Sequence, residues 1–388
     1  MNSPLVRPGQ GPAGASTTVA YRCRCGRPVF FRNSRCLACG TPLGYLPSRG
    51  SLFPLEAGAA AGTWRIVGDE AKPGFTYRRC ENFSSAAACN WLVEPEYGMR
   101  RPNLCKACRL NRKIPDLSKS QNRRLWLCME RAKRRLVSQL IRLRLPVASK
   151  VSEDPQHGLA YDFVRSRPGQ AHVKTGYFRG IITINLEEAD DAVRERIRVD
   201  MGEPYRTLLG HFRREIGHYY WNRLIEGTDW QVSCRKLFGD ERRDHDAGLT
   251  ANYEKRPPSD WRRRYLSARA SVHPSEDWAE CWAHYLHLRD TLDTAIGFGI
   301  QAGQVDIEAE PFGVADVWQP DAPNAAGFVD MLRQWIRITG VMNEMSRAMG
   351  LQDFYPFVLP QPAVGKLHFI HCVVSSLPDA APQEEGQV

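Results

Sequence analysis

The 388-residue chain has no run approaching the roughly 18 uninterrupted apolar residues that a membrane helix requires. Its first 18 residues are rich in Gly, Pro and Ser and lack the apolar stretch of a secretion signal. These absences lead to the expectation of a soluble cytoplasmic protein that does not engage a membrane. No internal repeat is present. Acidic residues are in deficit, 43 against 53 Lys and Arg, giving a formal charge of +10. That excess points to acidic partners or simply to a basic surface, and charge alone does not identify nucleic acid.

The chain is longer than one compact domain usually is, and its 43% apolar content is enough to bury a sizeable core. A main domain with a smaller appendage is expected. Residues 1–20 read as a disordered leader and 376–388 as a polar disordered tail. Between them, 21–47 and 48–118 are cysteine-punctuated and turn-rich, with the composition of metal-stapled modules, and 119–375 forms the main domain. From Ser120 to about Leu143, apolar residues recur every three or four positions among seven Lys and Arg, predicting a long helix closed by Pro146. Leu159–Val164 and Gly180–Leu186 read as strands. Helices are predicted around Arg196, over Tyr205–Leu224, from Asp260 to Thr294 with a boundary near His273 and Pro274, and over Phe328–Met349 and Pro362–Ser375. A polar connection spans Asp240–Pro258, and 295–325 reads as loop.

Twelve cysteines could signal disulfides, but without a secretion signal their C-x-C and C-x-x-C spacing argues for metal thiolates in a reducing compartment. Cys23, Cys25, Cys36 and Cys39 form two close knuckles, each followed by glycine, separated by a hairpin's length of chain: a zinc ribbon. Cys105 and Cys108 form another knuckle, and Cys80 with Cys89 could complete a second structural zinc site if the chain folds back. Four sulfurs around each ion would leave both sites closed and catalytically inert. Cys128, Cys234, Cys281 and Cys372 are scattered and read as small buried hydrophobes.

His211, Arg214, Glu215 and His218 lie at i, i+3, i+4 and i+7 and so share one helix face. The sequence Arg214-Glu215-Ile216-Gly217-His218 is one residue from H-E-x-x-H, in which two histidines on a helix hold zinc and the glutamate takes a proton from metal-bound water. Arginine is always cationic and has no lone pair to offer a metal. Taken alone, E-x-x-H is better explained by an ordinary polar-aromatic packing face beside Tyr219, Tyr220 and Trp221. A second helix, however, places Glu276, Glu280, His284 and His287 along one stripe, where a further ligand could arise.

Several longer segments carry a family resemblance: Cys25–Phe31, Cys105–Asn111 with Ile114–Leu117, Gly180–Asp190, Met201–Phe212, Glu276–Glu280 and Tyr355–Leu359. On these, from about Cys23 to Leu359, the chain resembles the bacterial zinc-binding metallopeptidase family. The resemblance implies an N-terminal zinc ribbon followed by a zincin-like domain, hence an α+β, mostly helical fold. The family pattern reads H-F-R-H-E-I-G-H-Y-Y-W, so this chain departs from it at Arg214. Carried over by position, Glu215 is the general base, His218 a zinc ligand and Glu276 the third ligand, with Glu280 orienting a ligand or replacing Glu276. Tyr219 and Tyr355 could supply an oxyanion donor, though each also reads as a packing residue.

His211 is a poor substitute for the missing ligand, since seven residues at ~1.5 Å each put it about 10 Å along the axis from His218. Glu215 and His218, an i, i+3 pair, could instead chelate a divalent ion with Glu276, at the cost of the base. Three functions follow. The protein keeps the fold, binds little metal and acts by binding a peptide or protein; or it retains metal on rearranged ligands and hydrolyses peptide bonds; or the zinc modules and the basic Ser120–Leu143 helix bind nucleic acid. For the last, the helix's arginines also fit a solvated amphipathic face, and only Trp126 is interleaved with the charges as a base-stacking residue.

Overall fold

The computed structural model describes residues 19–70, 74–94, 103–166, 169, 173–243, 258–308 and 311–378. The expected leader and tail, apart from their innermost residues, and most of the Asp240–Pro258 connection lie outside them. The N-terminal region is built on short strands that bury a small core of their own, Leu46, Leu55, Ile66, Tyr77 and Leu92. Strand β1 (Tyr21–Arg22) pairs antiparallel with β2 (Pro28–Val29), and between them Gly26, at φ 79°, turns its amide onto the Cys23 carbonyl. Gly40, at φ 72°, repeats this turn onto Cys36, so both knuckles need the left-handed conformation that glycine adopts without strain. A five-stranded antiparallel sheet follows in the order β3 (Leu43–Leu46), β4 (Ser51–Ala57), β5 (Thr63–Ile66), β6 (Tyr77–Arg79), β7 (Leu92–Val93). Phe31, Tyr45 and Trp91 cluster edge-to-face and tilted where this sheet meets the ribbon.

The second cysteine group leads directly into the main domain. Strand β8 (Asn111–Lys113), three residues after Cys108, pairs in parallel with β9 (Ala160–Val164), the centre of a second sheet of order β10 (Gly176–Phe178), β11 (Ile181–Asn185), β9, β8. Strands β9 and β11 are parallel; β10 closes the edge antiparallel. Helix α1 (Ser120–Arg142) crosses this sheet, burying Leu125, Trp126, Met129, Leu136, Val137 and Leu140. It ends at Arg144, held at φ 58° with its amide on Ile141, before Pro146 is reached. Four of its seven cations leave the solvated face: Lys133 and Arg134 are buried against Glu130, and Arg135 and Arg142 reach Asp290 at 2.8 and 2.7 Å, while Arg123, Arg124 and Arg131 are exposed as the amphipathic reading expects. Trp126, 2% exposed, packs on Phe163 and has no face free for a base.

The remaining helices are α2 (Asp191–Asp200), α3 (Leu208–Leu224), α4 (Trp230–Phe238), α5 (Pro274–Gly297), α6 (Ala325–Ala348) and α7 (Gln361–Ser375). Helix α4 carries no strong sequence signal. The run expected to be helical from Asp260 holds two 3-10 turns, Trp261–Arg263 and Arg269–Ser271, and α5 starts only at Pro274, with the His273 side chain accepting the Ser275 amide. Helices α3 and α5 pack face to face because Gly217 has no side chain: a Cβ there would lie 3.0 Å from the Ala279 Cα. Trp278 donates to the Gly217 carbonyl at 2.8 Å, and Tyr220 stacks on Trp282 behind it. The result is a helix-rich α+β protein in which no helix among the described residues is long and apolar enough to cross a membrane.

Candidate active site

The close α3–α5 crossing decides which side chains meet. Helix α3 starts where Thr207 caps the Gly210 amide at 3.0 Å, and its next turns present His211, Arg214, Glu215 and His218. Helix α5 presents Glu276, Glu280, His284 and His287. Arg214 fills the space between them. Its Nη2 lies 2.7 Å from Glu215 Oε1 and its Nη1 3.0 Å from Glu276 Oε2, and Arg269 Nε reaches the same Glu276 oxygen at 2.9 Å. Both carboxylates are buried. Burial alone would make the Arg214 guanidinium easier to deprotonate, but Glu215, Glu276 and Glu280 outweigh it and raise its pKa.

The other expected ligands are held apart. His218 makes no hydrogen bond among the described residues and stacks against Tyr177 of the edge strand β10; burial lowers its pKa, against the pull of Glu215 and Glu276, and so favours the neutral imidazole. His211 borders a cavity shared with Arg214 and Glu280, its Nδ1 3.8 Å from Glu188 Oε2, and neither of those two atoms has a hydrogen-bond partner. Burial, then Arg214 and Arg206, push His211 well below its usual pKa. Glu280 Oε1 sits 3.5 Å from His284 Nε2, whose Nδ1 is 2.5 Å from the Tyr355 hydroxyl. Burial would raise the Glu280 carboxyl, but His284, Arg214 and Arg269 hold it below its usual range. Tyr355 is thus engaged with His284, and Tyr219 donates to the His157 carbonyl at 3.1 Å.

This cavity, of about 710 Å³, opens at the crossing, lined by the aromatic rings of Tyr205, Trp261, Tyr265 and Phe357 and by the polar side chains of His211, Arg214, Glu280, His284 and His287. Glu215, His218 and Glu276 do not line it, so Arg214 separates them from the cavity. Three contributors were not evident from sequence. Arg269 comes from a 3-10 turn where a helix was expected. Arg206 grips Glu188 and Glu203 at 2.7 and 2.8 Å. Arg213, next to Arg214, faces the opposite way, donating to His287 Nδ1 at 2.7 Å and to Asp290 at 2.7 Å.

Among the described residues, two groups bring three or more His, Cys, Asp or Glu ligand atoms within 4.8 Å of one another, and both are cysteine quartets. Cys23, Cys25, Cys36 and Cys39 form the first, with Sγ···Sγ distances of 3.5 and 3.8 Å. Cys80, Cys89, Cys105 and Cys108 form the second, with Cys89 and Cys105 3.6 Å apart. Tetrahedral zinc with Zn–S bonds of ~2.3 Å requires sulfurs about 3.8 Å apart, so both quartets fit the ion. The two differ in setting. Cys25 and Cys39 are exposed, whereas all four sulfurs of the second site are buried. There Cys108 Sγ lies 3.7 Å from Glu130, itself 2.5 Å from Lys133, and Arg134 is anchored to the Ala87 carbonyl at 2.9 Å. These two cations on α1 offset the charge that thiolates and Glu130 bring into the core.

Models of known families match two stretches of the chain. Residues 20–119 match a zinc-ribbon domain model, and residues 122–373 match the family described as "putative zinc-binding metallo-peptidase". The chain is also 38% identical over 360 residues to uncharacterised proteins of Mycobacterium tuberculosis and Mycobacterium bovis, spanning 92% of this chain and 96% of theirs. No solved structure matches it. The chain therefore belongs to the zinc-binding metallo-peptidase family, with an N-terminal zinc ribbon ahead of the peptidase-family domain.

Proposed function

We propose that this chain keeps a zincin-like peptidase scaffold in which the guanidinium of Arg214 stands where the metal would be, and that it binds a peptide or protein segment without cleaving it. The observation that carries this reading is the double ion pair of Arg214 with Glu215 and Glu276, joined by Arg269. Two guanidinium groups meet two carboxylates there. The charge that a divalent ion would supply is already present, in a form that cannot polarise a carbonyl as a Lewis acid or generate hydroxide. Glu215, the expected base, lends an oxygen to Arg214 instead.

A metal does not fit these residues. An ion held by Glu215, His218 and Glu276 would have to displace Arg214, leaving a buried cation without its partners, a loss worth roughly 3–5 kcal/mol. No hydrolytic step is therefore assigned to the site. What remains suits binding. The aromatic walls of Tyr205, Trp261, Tyr265 and Phe357 offer apolar contact, and Glu280, His284 and His287 offer polar groups to a peptide backbone. Two thiolate sites of zinc-binding geometry support a reducing compartment, the cytoplasm.

The test is to assay wild type, Arg214→His and Glu215→Gln against a broad peptide library, with bound metal measured in each. No cleavage by wild type is expected, and Arg214→His should acquire metal at the α3–α5 crossing. Wild-type cleavage that Glu215→Gln abolishes would overturn the proposal.

A further inference from the structure

The ribbon region carries the charge of this protein. Between residues 20 and 119 there are 17 Lys and Arg against 7 Asp and Glu, a formal +10 equal to that of the whole chain, so the remainder is neutral. Two zinc ions each bound by four thiolates would contribute about −4 together, which still leaves the region strongly basic. Part of this charge lines a groove of about 770 Å³ beside the two cysteine sites, walled by Arg35, Trp64, Arg78, Arg79 and Phe83, with Glu81 the one carboxylate residue on it.

Arg79 is the unusual member. Its guanidinium lies over the Trp64 ring at 4.7 Å and over the Phe83 ring at 4.2 Å, and its Nη1 donates to the Leu43 carbonyl at 3.1 Å. Among the described residues it makes no ion pair, and its Nε and Nη2 have no acceptor. Arg134, Arg142, Arg206, Arg213 and Arg214, other arginines with largely buried side chains, each face a carboxylate. Burial and the nearby Arg35 push Arg79 down to about 10, so it stays cationic at neutral pH while repelling its neighbour. Two rings and a carbonyl thus fix a guanidinium with one whole N–H edge bare, and that edge is the fork that takes two oxygens of an oxyanion.

We propose that this groove binds the phosphodiester backbone of single-stranded nucleic acid, with Arg79 gripping one phosphate through Nε and Nη2 and Arg35 and Arg78 reaching the phosphates on either side. A polyanion of regular charge matches an excess spread over the whole ribbon region better than an isolated anion does. Single strands are favoured because the charge lines a concave groove with aromatic walls, which tracks one backbone, and not a projecting element: the described residues of 19–119 contain no α-helix. The site is distinct from the α3–α5 cleft and does not depend on what that cleft does. It also moves the nucleic-acid surface from α1, where Trp126 is buried and four cations are engaged, to the ribbon.

The test uses the full zinc-loaded chain and fluorescence anisotropy with labelled oligothymidylate and oligouridylate over a range of salt. Binding should be tight at low salt and fall as salt rises. Arg35→Glu with Arg78→Glu, both exposed, should weaken it by about tenfold or more, and the salt slope should become shallower by about one for each phosphate no longer gripped. Arg79→Lys, which keeps the charge but not the fork, should weaken it several-fold with zinc content unchanged. Absence of binding at low salt overturns the proposal, as does binding that the Arg35 and Arg78 changes leave intact. Equal competition by polyglutamate would also overturn it, in favour of an acidic protein partner. Should Arg79→Lys lose zinc, the Arg35 and Arg78 pair still decides.

Discussion

Replacing Arg214 by alanine would leave Glu215 and Glu276, 3% and 5% exposed, without the cation that lies between them. Removing one partner of a buried ion pair costs ~3–5 kcal/mol, because the charge left behind has lost both its hydration and its counter-ion. Arg269 stays on Glu276, so the lower part of that range applies, about 3–4 kcal/mol. For a domain of this size each kcal/mol shifts the melting temperature by roughly 2–4 °C, so a fall of about 6–16 °C is expected. The pH dependence has a definite sign. Without the guanidinium, the folded protein raises the pKa of the stranded carboxylate above its unfolded value of about 4.3, so the variant's deficit is greatest at neutral pH. It shrinks as pH falls and the carboxyl takes up a proton. Thermal melts of wild type and variant at pH 7.5 and pH 5 measure this. A loss below about 2 °C at neutral pH, or a loss that grows on acidification, would refute the reasoning.

Asp290→Asn should destabilise the protein by several kcal/mol, because Arg135, Arg142 and Arg213 all converge on that one carboxylate in the core. Despite burial, those arginines hold the Asp290 pKa below its usual value. Its contribution is therefore present above the unfolded pKa and lost as pH falls through the lower folded one, so wild type and variant should converge in acid denaturation. Chelator challenge should strip zinc first from the site of exposed Cys25 and Cys39. The buried Cys80, Cys89, Cys105 and Cys108 site should release its ion only as the main domain opens, and simultaneous release would contradict the difference in burial. Gly217→Leu should force α3 from α5, since even a Cβ would sit 3.0 Å from Ala279 Cα, and should lower the melting temperature while disordering the Arg214 ion pairs.

Both cysteine quartets were legible because knuckle spacing is a local signal that survives without knowledge of the fold; Cys80 and Cys89 needed only the antiparallel return of β6 and β7 to reach Cys105 and Cys108. The two helices of the crossing were legible from their periodicity, and α3 and α5 do meet. What the sequence hid was direction. Neighbouring residues Arg213 and Arg214 face opposite ways on α3, one to Asp290 and one to Glu276, and nothing local says which carboxylate each will find. Arg135 and Arg142 of α1 misled for the same reason: amphipathic spacing cannot distinguish water from a buried carboxylate contributed by a helix about 150 residues later. Trp261–Arg263 and Arg269–Ser271 read as helix because their composition is helix-compatible, whereas Pro274 sets the true start.

The most direct test of Arg214 as the occupant of the metal position is the number of zinc ions bound per chain, measured by elemental analysis on wild type and Arg214→His purified side by side. Two ions are predicted in wild type, both on cysteine, and three in Arg214→His, the third lost again when His218 is also replaced by alanine. Three ions in wild type, falling to two on His218→Ala, would show that a metal displaces the guanidinium and would contradict that assignment.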